Sequence, residues 1–141
     1  FPGPAVPSEL KGRDDLNFRH PAERCALAFL ELRGHRLLRH NYHTRFCEID
    51  LITLGSENGI HFIEVKAWQA EDAAFKHPLQ SLTRIKLATL RKACAEFMYE
   101  AQKEQLLLRF NPNLRIDDLP QCIDLIWVKS DADIELFENL Y

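Results

Sequence analysis

The stretch Cys47-Glu-Ile-Asp-Leu-Ile-Thr-Leu-Gly-Ser-Glu-Asn-Gly-Ile-His-Phe-Ile-Glu-Val-Lys66, CEIDLITLGSENGIHFIEVK, decides how the chain is read. Two runs rich in β-branched residues flank GSENG, a short turn bounded by Gly55 and Gly59, which predicts an antiparallel hairpin. Side chains alternate across a strand, so Glu48 and Asp50 are expected on one face, with Ile49 and Leu51 on the other. In the second strand Phe62, Glu64 and Lys66 share a face, and Ile63 and Val65 take the opposite one. A turn centred on Glu57 sets Asp50 opposite Glu64, where cross-strand Cβ atoms lie about 5 Å apart. Two carboxylates at that separation repel each other. A divalent cation between them removes the conflict, and Mg²⁺ fits, since it prefers oxygen donors and keeps waters or phosphate in its shell. Lys66, two residues past Glu64, can then orient a water or stabilise charge developing on a phosphate.

Outward from the hairpin, HPAERCALAFLELRG (20–34) reads as a helix, with Pro21 early and Gly34 at the stop. RLLRHNYH (36–43) reads as a strand, and 79–105 as one long helix. QCIDLIWV (121–128) is a strand apolar enough to be central. IELFENLY is a short strand or helix at the sheet edge. The order αβββαβ is a small mixed α/β domain. Glu23 falls within the apolar stripe of the first helix and Lys86 within that of the second, where an unpaired charge is costly. Both fit a site built by the hairpin, and both also fit ordinary pairing or snorkelling.

The 141 residues, 46% hydrophobic, suffice for one core. The opening FPGPAVPSEL suggests that 1–20 is a Pro-containing flexible leader, with a single domain over 21–141. No apolar run has the length of a membrane span. Cys25, Cys47, Cys94 and Cys122 form no CxxC pair, and no His lies at ligand spacing. Zinc is therefore not expected, and the cysteines read as reduced core residues of a cytoplasmic protein.

The net charge of −3 argues weakly against nucleic acid, but the charge is segregated. Residues 33–46 carry four arginines, three histidines and no acid, and 73–95 are basic without acids, whereas the end of the chain is acidic. Arg36, Arg39, Arg45, Lys76, Arg84 and Lys86 are candidates for holding a phosphate backbone, and Tyr42 or Trp68 for stacking on a base. Each also reads as an ordinary surface residue.

An acid in EIDLI, a strand ending FIEVK and a preceding helix bearing Glu23 resemble the PD-(D/E)xK nuclease superfamily. More closely, GHRLLRHNYHTRFCEIDLI, IHFIEVK, Ile85-Lys86 and CIDLIWV resemble the YraN family of small predicted endonucleases, from about Ala22 onward. The resemblance implies a restriction-endonuclease-like core, a mixed central sheet flanked by helices, like that of Holliday-junction resolvases. It implies Asp50, Glu64 and the Val65 carbonyl as ligands of Mg²⁺ or Mn²⁺, Lys66 as the catalytic lysine and Glu23 as an accessory acid. The expected activity is metal-dependent cleavage of DNA, branched or single-stranded, by a chain that pairs into a homodimer. The alternatives are a catalytically silent DNA-binding scaffold on the same fold and a protein-interaction module. Departures from the family pattern are Ala22 and Cys47 in place of glycines, Ala67-Trp68 after EVK, and the insertion NPNLRIDDLP.

Overall fold

The computed structural model describes residues 17–67 and 77–140. Trp68, Lys76 and most of the expected leader lie outside them. Helix α1 (Pro21–Leu32) is followed by β1 (Arg36–His43), β2 (Glu48–Leu54) and β3 (Ile60–Ala67), then α2 (Arg84–Lys103), β4 (Gln121–Ser130) and β5 (Asp133–Phe137). The strands form one sheet in sequence order. Only β3 and β4 run parallel, joined through α2, and every other neighbour is antiparallel. This is the expected α/β core with β5 added as an edge strand.

Local signals explain the helix ends. Pro21 occupies the first turn of α1, and the His20 side chain accepts from the Ala22 amide at 3.0 Å. At the other end Gly34 adopts φ 87°, while its amide and that of His35 donate to Glu31 and Leu30 carbonyls. That is a left-handed stop closed by two reversed hydrogen bonds. The long second helix does not begin at 79 as expected. Pro78–Ser81 form a 3-10 turn, and Thr83, in extended backbone, caps α2 by accepting from the Lys86 amide at 3.1 Å. The hydroxyl takes an amide that helix continuation would otherwise have to satisfy, so helical periodicity upstream of Thr83 is overridden.

The helices cover opposite faces of the sheet. Leu90, Ala93, Cys94 and Phe97 of α2 pack with Ile52, Leu54, Ile60, Phe62 and Ile123. Ala22, Cys25, Ala26, Leu27 and Leu30 of α1 pack with Leu51, Ile63, Ile126 and Val128. Strands β3 and β4 are thus covered on both sides, which accounts for their continuous apolar character. The GSENG turn is symmetric about Glu57, and Leu54 faces Ile60, as the hairpin reading required.

One expectation about faces is corrected. Ile49 packs on the α2 side and Leu51 on the α1 side, although they are two residues apart. Their partners on β1 are Tyr42 and His40, and between those two Asn41 takes a left-handed φ of 46°. A left-handed residue turns the strand locally, so the alternation resets there. Asp50 lies opposite that reset.

Candidate metal and phosphate site

The paired register of β2 and β3 runs from Leu54–Ile60 to Leu51–Ile63 and stops. One residue further along β2, the Asp50 carboxylate enters the gap and accepts from the Val65 amide at 2.7 Å. A side-chain oxygen thereby replaces a backbone rung, and the strands part where the acid sits. Glu23, only 6% exposed on α1, comes from the other direction, and its Oε2 accepts from Asn41 Nδ2 at 2.6 Å. Glu23, Asp50, His20, Ala22, Val65 and Ala67 line a cleft of about 280 Å³.

Glu64 follows Phe62 on the α2 side, its side chain 11% exposed, and its Oε1 lies 3.3 Å from Lys86 Nζ and 3.5 Å from Lys66 Nζ. Lys86, which the sequence placed inside an apolar stripe, is there because Glu64 pairs with it. Burial first, then the Glu64 charge, with Glu23 adding to it, push the Asp50 carboxyl up from 3.8 to about 7. The Val65 amide and Lys66 act in the opposite sense. Asp50 therefore stands between two acids, and negative charge there is held at a cost.

The donor set suits a hard, oxygen-preferring cation. A cation beside Asp50 would offset the repulsion that raises its pKa. Glu23, Asp50 and Glu64 do not close to within 4.8 Å as a trio.

The profile of the family described as "Uncharacterised protein family UPF0102" matches residues 22–128. The chain belongs to this family. UPF0102 is the YraN family, a member of the PD-(D/E)xK-like nuclease superfamily. A UPF0102 protein of Helicobacter hepaticus is 30% identical over 128 residues, covering 89% of this chain and 97% of the relative. One from Helicobacter pylori is 33% identical over 130 residues, covering 89% and 96%. One from Chloroherpeton thalassium is 34% identical over 97 residues, covering 69% and 73%.

In this UPF0102 chain the candidate phosphate-holding residues are dispersed. Arg45 precedes Asp50 in the β1–β2 loop, stacks its guanidinium 5.1 Å from the Phe46 ring centre and lies 3.8 Å from Glu96. Arg36 faces Leu54 at the far end of the β1–β2 ladder, over the Phe110 ring, and Arg39 pairs with Glu104 at 3.1 Å. Arg84 opens α2 and is exposed. Tyr42 is not a stacking platform: its ring meets Phe97 edge-on at 5.3 Å, and its hydroxyl donates to Glu100. Glu48 leaves the site as well, held by Arg19 at 2.7 Å. Sequence reasoning missed Asn41 and the capping His20. An asparagine inside a strand, a residue that tolerates left-handed backbone, was the available signal for Asn41.

A second polar cluster lies toward the other end of β3. The parallel register sets His61 beside Cys122 and Ile63 beside Asp124. His61 Nδ1 is 2.7 Å from Asp124 Oδ2 and 3.1 Å from Cys122 Sγ. Spacing along the chain showed no Cys–His pair, but strand pairing brings His61 and Cys122 together across 61 residues.

No helix among the described residues is long and apolar enough to cross a membrane.

Proposed function

We propose that the protein is a metal-dependent endonuclease acting on DNA, with Asp50, Glu64 and the Val65 carbonyl as the holders of Mg²⁺ or Mn²⁺. The observation that carries this reading is the Asp50 carboxylate, anchored on the Val65 amide in the split between β2 and β3, with Glu23, Glu64 and Lys66 all acting on its charge. A cation bound there would activate a water and neutralise charge on the scissile phosphate. The Asp50–Val65 hydrogen bond fixes the orientation of one carboxylate before substrate arrives. Lys66 Nζ, 3.5 Å from Glu64 Oε1, would steady the attacking water or the developing phosphate charge. Glu23, oriented by Asn41, would accept a proton at Oε1 while Oε2 is occupied. Arg45, in the loop before Asp50, and the exposed Arg84 at the start of α2 would supply positive charge for the backbone of DNA.

Incubating the protein with duplex, flapped, branched and single-stranded DNA in Mg²⁺ or Mn²⁺ tests the proposal. Cleavage by the wild type, lost in Lys66→Ala and Asp50→Asn, is the expected result.

A second reading, a silent scaffold on the nuclease fold, draws on one observation. Two lysines already share Glu64 Oε1, so that carboxylate is neutralised without any metal ion. Binding of the same DNAs without cutting in either metal supports the scaffold.

A further inference from the structure

The geometry points to a separate site for a zinc-class cation at His61, Cys122 and Asp124, independent of the nuclease reading. Three donors of different kinds, imidazole nitrogen, thiol sulfur and carboxylate oxygen, all lie within 4.8 Å of one another. Cys122 and Asp124 are two apart on β4 and share a face, and His61 adjoins Cys122 on β3. Asp124 is 1% exposed, and its buried charge is paired with His61 at 2.7 Å.

The orientation of each donor is fixed from behind. Gly55 has no side chain where a Cβ would come within 2.7 Å of His61 Nε2, so the imidazole fills that space and presents Nδ1 to the other two residues. His35 supports the ring edge-on at 4.7 Å and is itself tied to Thr53 Oγ1 at 2.8 Å. Asp124 Oδ1 is occupied by the Asn139 amide at 3.0 Å, which leaves Oδ2 for the cluster.

Without a metal ion His61 and Asp124 pair at 2.7 Å, and the Cys122 thiol donates only weakly, to the Ile60 carbonyl at 3.8 Å. Nδ1 carries at most one hydrogen, yet Oδ2 and Sγ both approach it. A cation at the centre satisfies all three donors at once, and the thiol and Nδ1 protons leave to solvent as it binds. Tetrahedral zinc would set nitrogen and sulfur about 3.5 Å apart, a few tenths of an ångström wider than the 3.1 Å here. Thiolate and imidazole select zinc-class ions over Mg²⁺. The fourth position falls to water, since the His61 side chain is 17% exposed. Asp124 also accepts from the Asn139 amide and Leu140 donates to Ile123 O, so an ion here would sit beside the segment that follows β5.

The test uses the full chain, stripped with chelator, then given Co²⁺ or Zn²⁺. Equimolar Co²⁺ should produce a thiolate-to-cobalt charge-transfer band that Zn²⁺ abolishes. Cys122→Ser should lose the band, and Asp50→Asn should keep it. Zn²⁺ should also protect Cys122, but not Cys47, from iodoacetamide in the unmutated chain, a readout that needs no variant to fold. Absence of the band, its survival in Cys122→Ser, or equal Cys122 alkylation with and without Zn²⁺ would each overturn the site.

Discussion

The Val65 amide donates to Asp50 Oδ2 at 2.7 Å just where the β2–β3 ladder has ended. A buried carboxylate is thereby built into the sheet as a substitute rung, held by backbone rather than by a mobile partner. The arrangement keeps an acid beside Glu64 and Glu23 at some expense to stability, a trade common at functional sites.

That expense is measurable. The folded-state pKa of Asp50 is raised from 3.8 to about 7. Between those values the folded chain holds a proton that the unfolded chain has released. The stabilising proton is fully present below pH 3.8 and lost as pH rises to about 7. Asn can still accept from Val65, so Asp50→Asn should raise the metal-free Tm at about pH 8 by roughly 3–8 °C, for a gain on the order of 1–2 kcal/mol. The gain should shrink toward about pH 4. Thermal denaturation across that range checks both statements.

Asn41 couples a left-handed turn in β1 to Glu23. Asn41→Gly keeps the backbone and loses the hydrogen bond, costing about 1 kcal/mol, whereas Asn41→Ala also strains φ and should cost about 1 kcal/mol more. Urea denaturation of the pair separates the two contributions. Equal losses would show that the backbone turn stores no strain.

Gly55→Ala should destabilise the protein by about 1–3 kcal/mol, because its Cβ would arrive 2.7 Å from His61 Nε2. In a His61→Ala background the same change should cost far less. A double-mutant cycle on chemical denaturation reads that coupling.

His35 titrates in the opposite sense to Asp50. Burial first, then the neighbouring His61 charge, lower it from 6.5 to about 4. The unfolded chain therefore takes up a proton that the folded chain refuses, so this contribution is intact above pH 6.5 and lost as pH falls toward 4. His35→Gln should flatten the decline in Tm over that interval relative to wild type.

How much of this was legible depended on how far apart in sequence the cooperating residues lie. The β2–β3 register was readable because five turn residues bounded by glycines fix the pairing. It ends at Leu51–Ile63, however, so Asp50 accepts from the Val65 amide instead of standing opposite Glu64 as symmetry about the turn required. The bounds of β1 matched at 36–43 because Gly34 closes α1 just before it. The split faces of Ile49 and Leu51 were not readable, since a single left-handed residue on the neighbouring strand reverses them. The start of α2 was misplaced because Thr83 capping outweighs an apolar stripe that extends back to Leu79. The His61–Cys122–Asp124 cluster lay beyond any spacing rule, because parallel pairing of β3 and β4 is set only after α2 has crossed over.

Titrating Mn²⁺, an oxygen-preferring ion, into the metal-free protein and following Tm tests the central claim most directly. If Asp50 and Glu64 hold the cation, saturation near 100 times Kd should stabilise the wild type by about 2.7 kcal/mol, and Asp50→Ala or Glu64→Ala should abolish the shift. An equal Mn²⁺-induced shift in all three proteins would contradict it.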